Sequence, residues 1–374
     1  MNAVGLIRDI KQYENRVMLT PEGVKELVES NIKVFVEQGA AMDSGFTDIE
    51  YEKSGAIMLP TMEKIMREAD LILQVHTPLP IQFELLNESH MFLSFASLIR
   101  TGEQFHSLVE TKATFVCGSL FQDNEGKYPV LMAMSEISGK MAIHEGARLL
   151  SVPGGGKGKL LDHIEGVKPT VVTIIGAGKV GRTIAEQTCN LGAKVNLVSL
   201  KEEKLQHYKD EFPKINCAVY SDKIIKEILP KTDLLIISVF SLSQSYNIFI
   251  NKKLIKLMEP GSVIIDISVD QVQVVEGSHP TNHDKPSYKL DGIVYYSVPN
   301  IASMIPMTSS RMLTKTIMPY LKILALKDLK KALVEESGII PALGIYKGKV
   351  TNRNFADQFG YEFYNIFELL ELNL

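Results

Sequence analysis

Val171-Val-Thr-Ile-Ile175-Gly176-Ala-Gly178-Lys179-Val180-Gly181-Arg-Thr-Ile-Ala185 is the stretch whose reading decides the fold. Five successive β-branched residues predict a strand buried on both faces, and the apolar spacing after Val180 predicts a helix reaching Leu191. A GxGxxG pattern alone marks many ordinary turns, but between a strand and a helix it is a dinucleotide fingerprint. Gly176 permits the tight turn, Gly178 lets a pyrophosphate approach the backbone, and Gly181 lets helix pack on strand. Lys179 and Val180 open the helix whose first N–H groups face the phosphates.

Outward from there, the same rhythm recurs. Toward the C-terminus, strands are predicted at Lys194–Val198, Asn216–Tyr220, Leu234–Val239, Val263–Ile267 and Ile293–Ser297, and a long helix from Thr308 to about Glu335. Asn354–Phe363 predicts a further helix. Toward the N-terminus, Ala3–Arg8, Lys33–Glu37, Leu71–His76, Met91–Phe95 and Phe115–Gly118 read as strands. Amphipathic stretches separate them. Thr20 followed by Pro21 reads as a helix N-cap with Pro at the first helical position, and Leu131–Leu150 as a long joining helix. Strands alternating with helices imply parallel sheets covered on both faces. The expected fold class is therefore α/β, two Rossmann-like doubly wound domains separated by a cleft. Residues 131–305 form the dinucleotide-binding domain, and 1–130 with 306–374 form the other, because a lone C-terminal helical tail has nowhere else to bury its apolar face.

The 374 residues carry a net charge of −4 with Lys and Arg spread throughout, so neither nucleic acid nor an anionic membrane is indicated as a partner. No apolar run approaches the ~20 residues of a membrane helix. The N-terminus breaks into charge at Arg8, so no signal peptide is expected. Three scattered cysteines, Cys117, Cys189 and Cys217, fit reduced, buried thiols in a cytoplasmic protein. No metal site is expected: His279 and His283 have Pro280 between them and no third ligand nearby. The second glycine cluster, Gly154–Lys159, lacks the Ser or Thr of a phosphate loop and reads as a flexible connection with two solvated lysines.

An acidic residue about 20 positions after the fingerprint ordinarily binds the adenosine ribose. Here that strand ends in Ser199, which lacks the carboxylate that repels a 2′-phosphate. Lys201 or Lys204 then either receives that phosphate or is simply solvated. The cofactor expected is NAD(H) or NADP(H). Ligands of open α/β sheets bind beyond the carboxyl ends of strands. Arg16 follows the first strand and is suited to clamp a carboxylate bidentately, or else forms a surface ion pair. His76 ends a strand as either a proton-exchanging group or a satisfied histidine. Ser97 lies past the next strand. Ile267 and Asp270 stand at a strand end of the dinucleotide domain, Asp270 also being readable as a turn cap.

Together, Glu14–Pro21, Ser44–Asp48, Met134–Gly139, Pro260–Asp266, Val269–Gln271, Pro280–Asp284, Val298–Asn300 and Tyr346–Thr351 give the chain a near end-to-end resemblance. It resembles alanine dehydrogenase and the nucleotide-binding subunit of proton-pumping transhydrogenase, and the Pro280–Asp284 and Tyr346–Thr351 segments favour the dehydrogenase branch. The resemblance implies interconversion of a 2-oxo acid plus ammonia with an amino acid, a small-molecule substrate, and a homo-oligomer, dimer or hexamer. It implies that Arg16 holds the substrate carboxylate and that Met134, Ser135, Val239, Asp270 and Asn300 surround cofactor or reacting centre. The departures are at chemical positions. A family lysine aligns with His76, a family histidine with Ser97, and the acidic ribose binder with Ser199. Three readings stay open: an NAD(P)-dependent dehydrogenase or imine reductase with an altered substrate, an alanine dehydrogenase with a relocated proton donor, and a non-catalytic nucleotide-binding module.

Overall fold

The computed structural model describes residues 3–95, 102–239, 249–269 and 272–372, and the chain divides into two compact units, Met1–Met134 with Ser303–Leu374, and Ser135–Ala302. The first unit opens with β1 (Ala3–Leu6), β2 (Lys33–Glu37), β3 (Ile57–Leu59), β4 (Leu71–Gln74), β5 (Met91–Ser94) and β6 (Thr114–Cys117). They lie side by side as β3-β2-β1-β4-β5-β6, all parallel. Every residue of β4, β5 and β6 is buried, as a parallel sheet covered on both faces requires.

The second unit repeats the scheme. Its strands are β7 (Val171–Ile175), β8 (Lys194–Ser199), β9 (Asn216–Val219), β10 (Leu234–Ile237), β11 (Val263–Asp266), β12 (Ser287–Leu290) and β13 (Ile293–Tyr296). The order is β9-β8-β7-β10-β11-β13-β12, parallel except for β12, which pairs antiparallel with β13. Finally β14 (Leu343–Tyr346) and β15 (Lys349–Val350) return to the first sheet, antiparallel, outside β6. In each sheet the direction of strand order reverses once, between β1 and β4 and between β7 and β10. The crevice beyond the carboxyl ends at such a reversal is where doubly wound folds take their ligands.

Several sequence expectations need correction. The helix expected over Thr308–Glu335 is two, Pro306–Leu326 and Leu329–Glu335, because the Asp328 carboxylate accepts the Lys331 N–H at 3.0 Å and starts a second helix. Thr20 holds the N-cap position ahead of Pro21, but its side chain caps nothing; instead its N–H donates to Thr314 Oγ1 at 2.9 Å. The glycine cluster Gly154–Lys159 is not a solvated connection. Lys157 and Lys159 each reach the buried Asp233 at 2.6 Å, and Lys157 also meets Glu259 at 2.9 Å. Asp233 accepts the Val171 N–H as well; burial would raise its affinity for protons, but these partners hold it below the usual carboxylate range. The loop therefore clips the start of β7 to the start of β10. Of the cysteines only Cys117 is buried, and none is bonded to another. No helix among the described residues is long and apolar enough to cross a membrane.

Candidate functional site

In the first unit, the segment after β1 runs along the carboxyl edge of the sheet and is held there by polar contacts. The Val17 N–H donates to Ser310 Oγ at 2.9 Å, and Thr314 Oγ1 both accepts from Thr20 and donates to the Met18 carbonyl at 3.2 Å. The Ser44 hydroxyl donates to the Asn15 carbonyl, and Tyr51 donates to the Leu19 carbonyl at 2.7 Å. Ser310 and Thr314 of the helix Pro306–Leu326 thus fix the backbone after Arg16, and Ser44 the residue before it.

Arg16 is neither a surface ion pair nor an open fork. Its side chain is 3% exposed, and Nε and Nη2 donate to the two oxygens of Glu14, each at 2.7 Å. Nη1 faces the Met134 sulfur at 3.6 Å, and the guanidinium lies 5.6 Å from the Phe95 ring centre. The two-point grip is engaged by Glu14, and Nη1 is left facing the thioether, a weak acceptor. Burial would raise the proton affinity of Glu14, but the Arg16 charge and hydrogen bonds overcome this and keep it ionised below its usual range.

His76 follows β4 across the strand-order reversal. Its Nε2 lies 2.8 Å from Lys11 Nζ and 4.0 Å from Glu14 Oε2. Asp9, buried after β1, joins the two loops: Oδ1 accepts the Lys11 N–H at 3.0 Å and Oδ2 the His76 N–H at 2.7 Å. Asp9, Lys11, Glu14, Arg16 and His76 therefore form one contiguous polar cluster where β1 and β4 end. Sequence reading had found only Arg16 and His76. Glu14 stood two residues from Arg16 in the motif, but Lys11 and Asp9 carry no signal of their own, because only the β1–β4 pairing brings position 76 to them.

Burial, and then the neighbouring Glu14 charge, push Asp9 up to about 6, only partly offset by the two backbone N–H donors. Folded protein thus binds a proton here that the unfolded chain, at 3.8, releases earlier. The sign follows: this group's stabilisation is complete below about pH 4 and is lost as pH rises through about 6, roughly 3 kcal/mol in all. In urea unfolding, wild type should lose more stability between pH 4 and 7 than Asp9→Asn does. Parallel losses would show that Asp9 takes up no proton on folding.

In the second unit, the glycine turn sits at the other reversal, where β7 and β10 end. Gly176 has φ +116°, and a Cβ there would lie 2.3 Å from the Ser238 carbonyl oxygen. A Cβ on Gly181 would lie 1.9 Å from the Gly176 carbonyl oxygen. Gly178 differs: it N-caps the helix Lys179–Asn190 with no side chain over the first N–H groups, and a Cβ on it would meet nothing within 4 Å. Lys179 and Val180, both half-buried, form the first turn. The turn is braced from the next helix, where Tyr208 donates to the Ala177 and Gly178 carbonyls at 3.3 and 3.2 Å, a contact the sequence did not disclose. Such a backbone cradle at a helix N-terminus fits a pyrophosphate.

Ser199 ends β8 buried, its hydroxyl accepting the Lys201 N–H at 3.2 Å. Lys201 and Lys204 are exposed; Lys201 lies 3.7 Å from Glu203, and Glu202 shares that first helical turn. Val239, past β10, donates its N–H to Ser268 Oγ at 2.9 Å, and Ile267, past β11, is half-buried. Asn300 adopts a left-handed φ of 62° after β13. Met134 is buried and Ser135 half-buried within the helix Pro129–Leu150. Ser97 and Asp270 lie outside the described residues.

Two family models match the chain. The family model "Alanine dehydrogenase/PNT, N-terminal domain" matches residues 5–138, and "Alanine dehydrogenase/PNT, C-terminal domain" matches residues 142–353. The alanine dehydrogenase of Methanococcus maripaludis is 34% identical, covering 93% of this chain and 94% of its own. That of Bacillus subtilis is also 34% identical, over 96% of this chain and 95% of its own. Among solved structures, an L-alanine dehydrogenase superposes with a TM-score of 0.88 at 30% identity, covering 96% of this chain and 99% of that one. A transhydrogenase from Sinorhizobium meliloti gives 0.79 at 19% identity, over 94% and 100%, a likeness of fold alone.

Proposed function

From the premise that the chain belongs to the alanine dehydrogenase/PNT family over nearly its whole length, we propose that it is an NAD(P)-dependent oxidoreductase of amino acids. It transfers hydride between the dinucleotide and C2 of an amino acid or of the imine formed from a 2-oxo acid and ammonia. The second unit binds the cofactor through the Gly176–Gly181 turn, with Ser199 near the adenosine ribose. The first unit binds the substrate.

One observation carries the reading: a buried, pre-oriented guanidinium stands at the strand-order reversal of a second doubly wound sheet, beside a lysine–histidine pair. Arg16 keeps its charge in place through Glu14 and presents Nη1 to a carboxylate. His76, 4.0 Å from Glu14, lies against the Lys11 ammonium on the same carboxyl edge. The nicotinamide ring, when bound, supplies or accepts the hydride; the chain's own residues orient the acid and hold protons. The lysine and histidine that the family resemblance places at 76 and 97 are absent here, so the substrate class proposed is an amino acid or its imine, alanine included.

The direct test follows NADH and NADPH absorbance with pyruvate, longer 2-oxo acids and cyclic imines, with and without ammonium. Ammonium-dependent oxidation with a 2-oxo acid is expected; binding of either cofactor without turnover of any substrate would leave a nucleotide-binding module instead. Because Ser199 leaves the ribose without a carboxylate, NADPH is expected to serve. Ser199→Asp should then shift the NADH-to-NADPH preference in kcat/KM by about 10- to 100-fold toward NADH, the worth of a charge-assisted hydrogen bond of about 1.5–3 kcal/mol. An unchanged ratio would place the ribose elsewhere.

A further inference from the structure

The Lys11 ammonium is the group that the cluster adds to a carboxylate-binding arginine. We propose that Lys11 is a catalytic residue, the cationic hydrogen-bond donor to the C2 oxygen of the substrate, and that His76 is the positioning residue that holds it. The proposal rests on the oxidoreductase reading above and assigns the atom within it that bears the positive charge.

Three features support it. First, the pair is built from the backbone up: one buried carboxylate, Asp9, accepts both the Lys11 and the His76 main-chain N–H, at 3.0 and 2.7 Å. The two side chains therefore leave a shared anchor and meet at 2.8 Å. Second, an ammonium has three donors and no acceptor, so with Lys11 charged the contact is made by the neutral ring accepting at Nε2, its hydrogen on Nδ1. A neutral imidazole in that state adds no second positive charge and fixes the direction of the Lys11 chain. Third, His76 Nε2 is 4.0 Å from Glu14 Oε2, whose carboxylate is bound to Arg16 at 2.7 Å. The ammonium and the guanidinium are thus joined through His76 and Glu14 on the carboxyl edge, the first to meet the C2 oxygen and the second the carboxylate in the proposed complex.

The chemistry needs such a charge. When the lone pair of ammonia forms the C–N bond, the C=O π pair moves onto the C2 oxygen. A positioned N–H donor lowers the barrier by binding that oxygen more strongly as its negative charge grows. Lys11 is exposed while Arg16 is buried, so the donor reaches the edge from the solvent side while the carboxylate anchor stays fixed.

The test is kinetic, on the full-length chain with the 2-oxo acid that it turns over. Lys11→Met should lower kcat by about 100-fold or more, the usual effect of removing one such donor, with NADH affinity by fluorescence titration unchanged. Lys11→Met combined with His76→Lys returns an ammonium to the same end of β4 and should regain at least tenfold of the loss. A Lys11→Met enzyme within threefold of wild type, or a double variant that regains nothing, would overturn the assignment while leaving the oxidoreductase reading standing. A wild type that turns over no 2-oxo acid with ammonium would overturn both.

Discussion

Arg16→Ala should cost the first unit about 3–5 kcal/mol of stability and should weaken substrate binding in the same variant. The stability loss comes from what is left behind. Glu14 is as buried as Arg16 and has its two oxygens on Nε and Nη2 at 2.7 Å, so removing the guanidinium strands a carboxylate away from water. Breaking a buried pair by deleting one partner typically costs 3–5 kcal/mol, far more than a surface pair is worth. The companion variant separates the causes. Arg16→Met with Glu14→Gln removes both charges and keeps most of the volume, so it should regain most of the stability, yet bind substrate no better than Arg16→Ala. For kinetics, losing one charge-assisted contact predicts a fall in kcat/KM of about 10- to 100-fold, expressed mainly in KM. Unfolding and steady-state rates on the same preparations check both. If the double variant recovered substrate binding along with stability, the carboxylate would be held by some group other than Arg16.

What was legible in the sequence follows from which interactions are local. The strands at Lys33–Glu37 and Val171–Ile175 have the predicted bounds because runs of β-branched and apolar residues between turns admit little else. The doubly wound order was implied by the alternation of strands and helices. Two antiparallel additions, β12 and β14–β15, went unread although their turns are written plainly. Asp291-Gly292 and Lys347-Gly348 both have positive φ at each position, the geometry of a two-residue hairpin turn. β12 and β15 are short and mixed in polarity, and Gly344 interrupts β14, so periodicity alone does not mark them. At the first unit's site, Arg16 and Glu14 were visible because they are two apart. Lys11 and Asp9 were not, since their meaning depends on β1 pairing with β4 across more than sixty residues. Lys157 was misread for the same reason: its partners Asp233 and Glu259 come from other strands' ends. A lysine in a glycine-rich stretch looks solvated until tertiary structure supplies the anion.

The other large effect separates two glycines of one motif. Gly178→Ala should leave the fold intact and lower dinucleotide affinity by about tenfold or more. Its φ of −87° and ψ of −167° are ordinary extended backbone that alanine adopts without strain, and the added methyl meets no protein atom within 4 Å. The reduced freedom of the unfolded chain and the poorer N-cap preference of alanine oppose each other, so stability should change by less than about 1 kcal/mol. The methyl would stand at the helix N-cap, where a phosphate oxygen must approach the backbone N–H groups closely, so the loss is one of binding alone. Gly181→Ala should behave oppositely in stability. Its methyl would lie 1.9 Å from the Gly176 carbonyl oxygen and 3.2 Å from Ser238 Oγ, so the turn must move as a whole. Overpacking against backbone costs about 1–3 kcal/mol, and the displaced turn would lose cofactor affinity as well. Calorimetric Tm and NADH fluorescence titration on the two variants give the contrast. A Gly178→Ala protein that binds either dinucleotide like wild type would show that the phosphates do not rest on this helix, and the cofactor site would have to be sought elsewhere in the second unit.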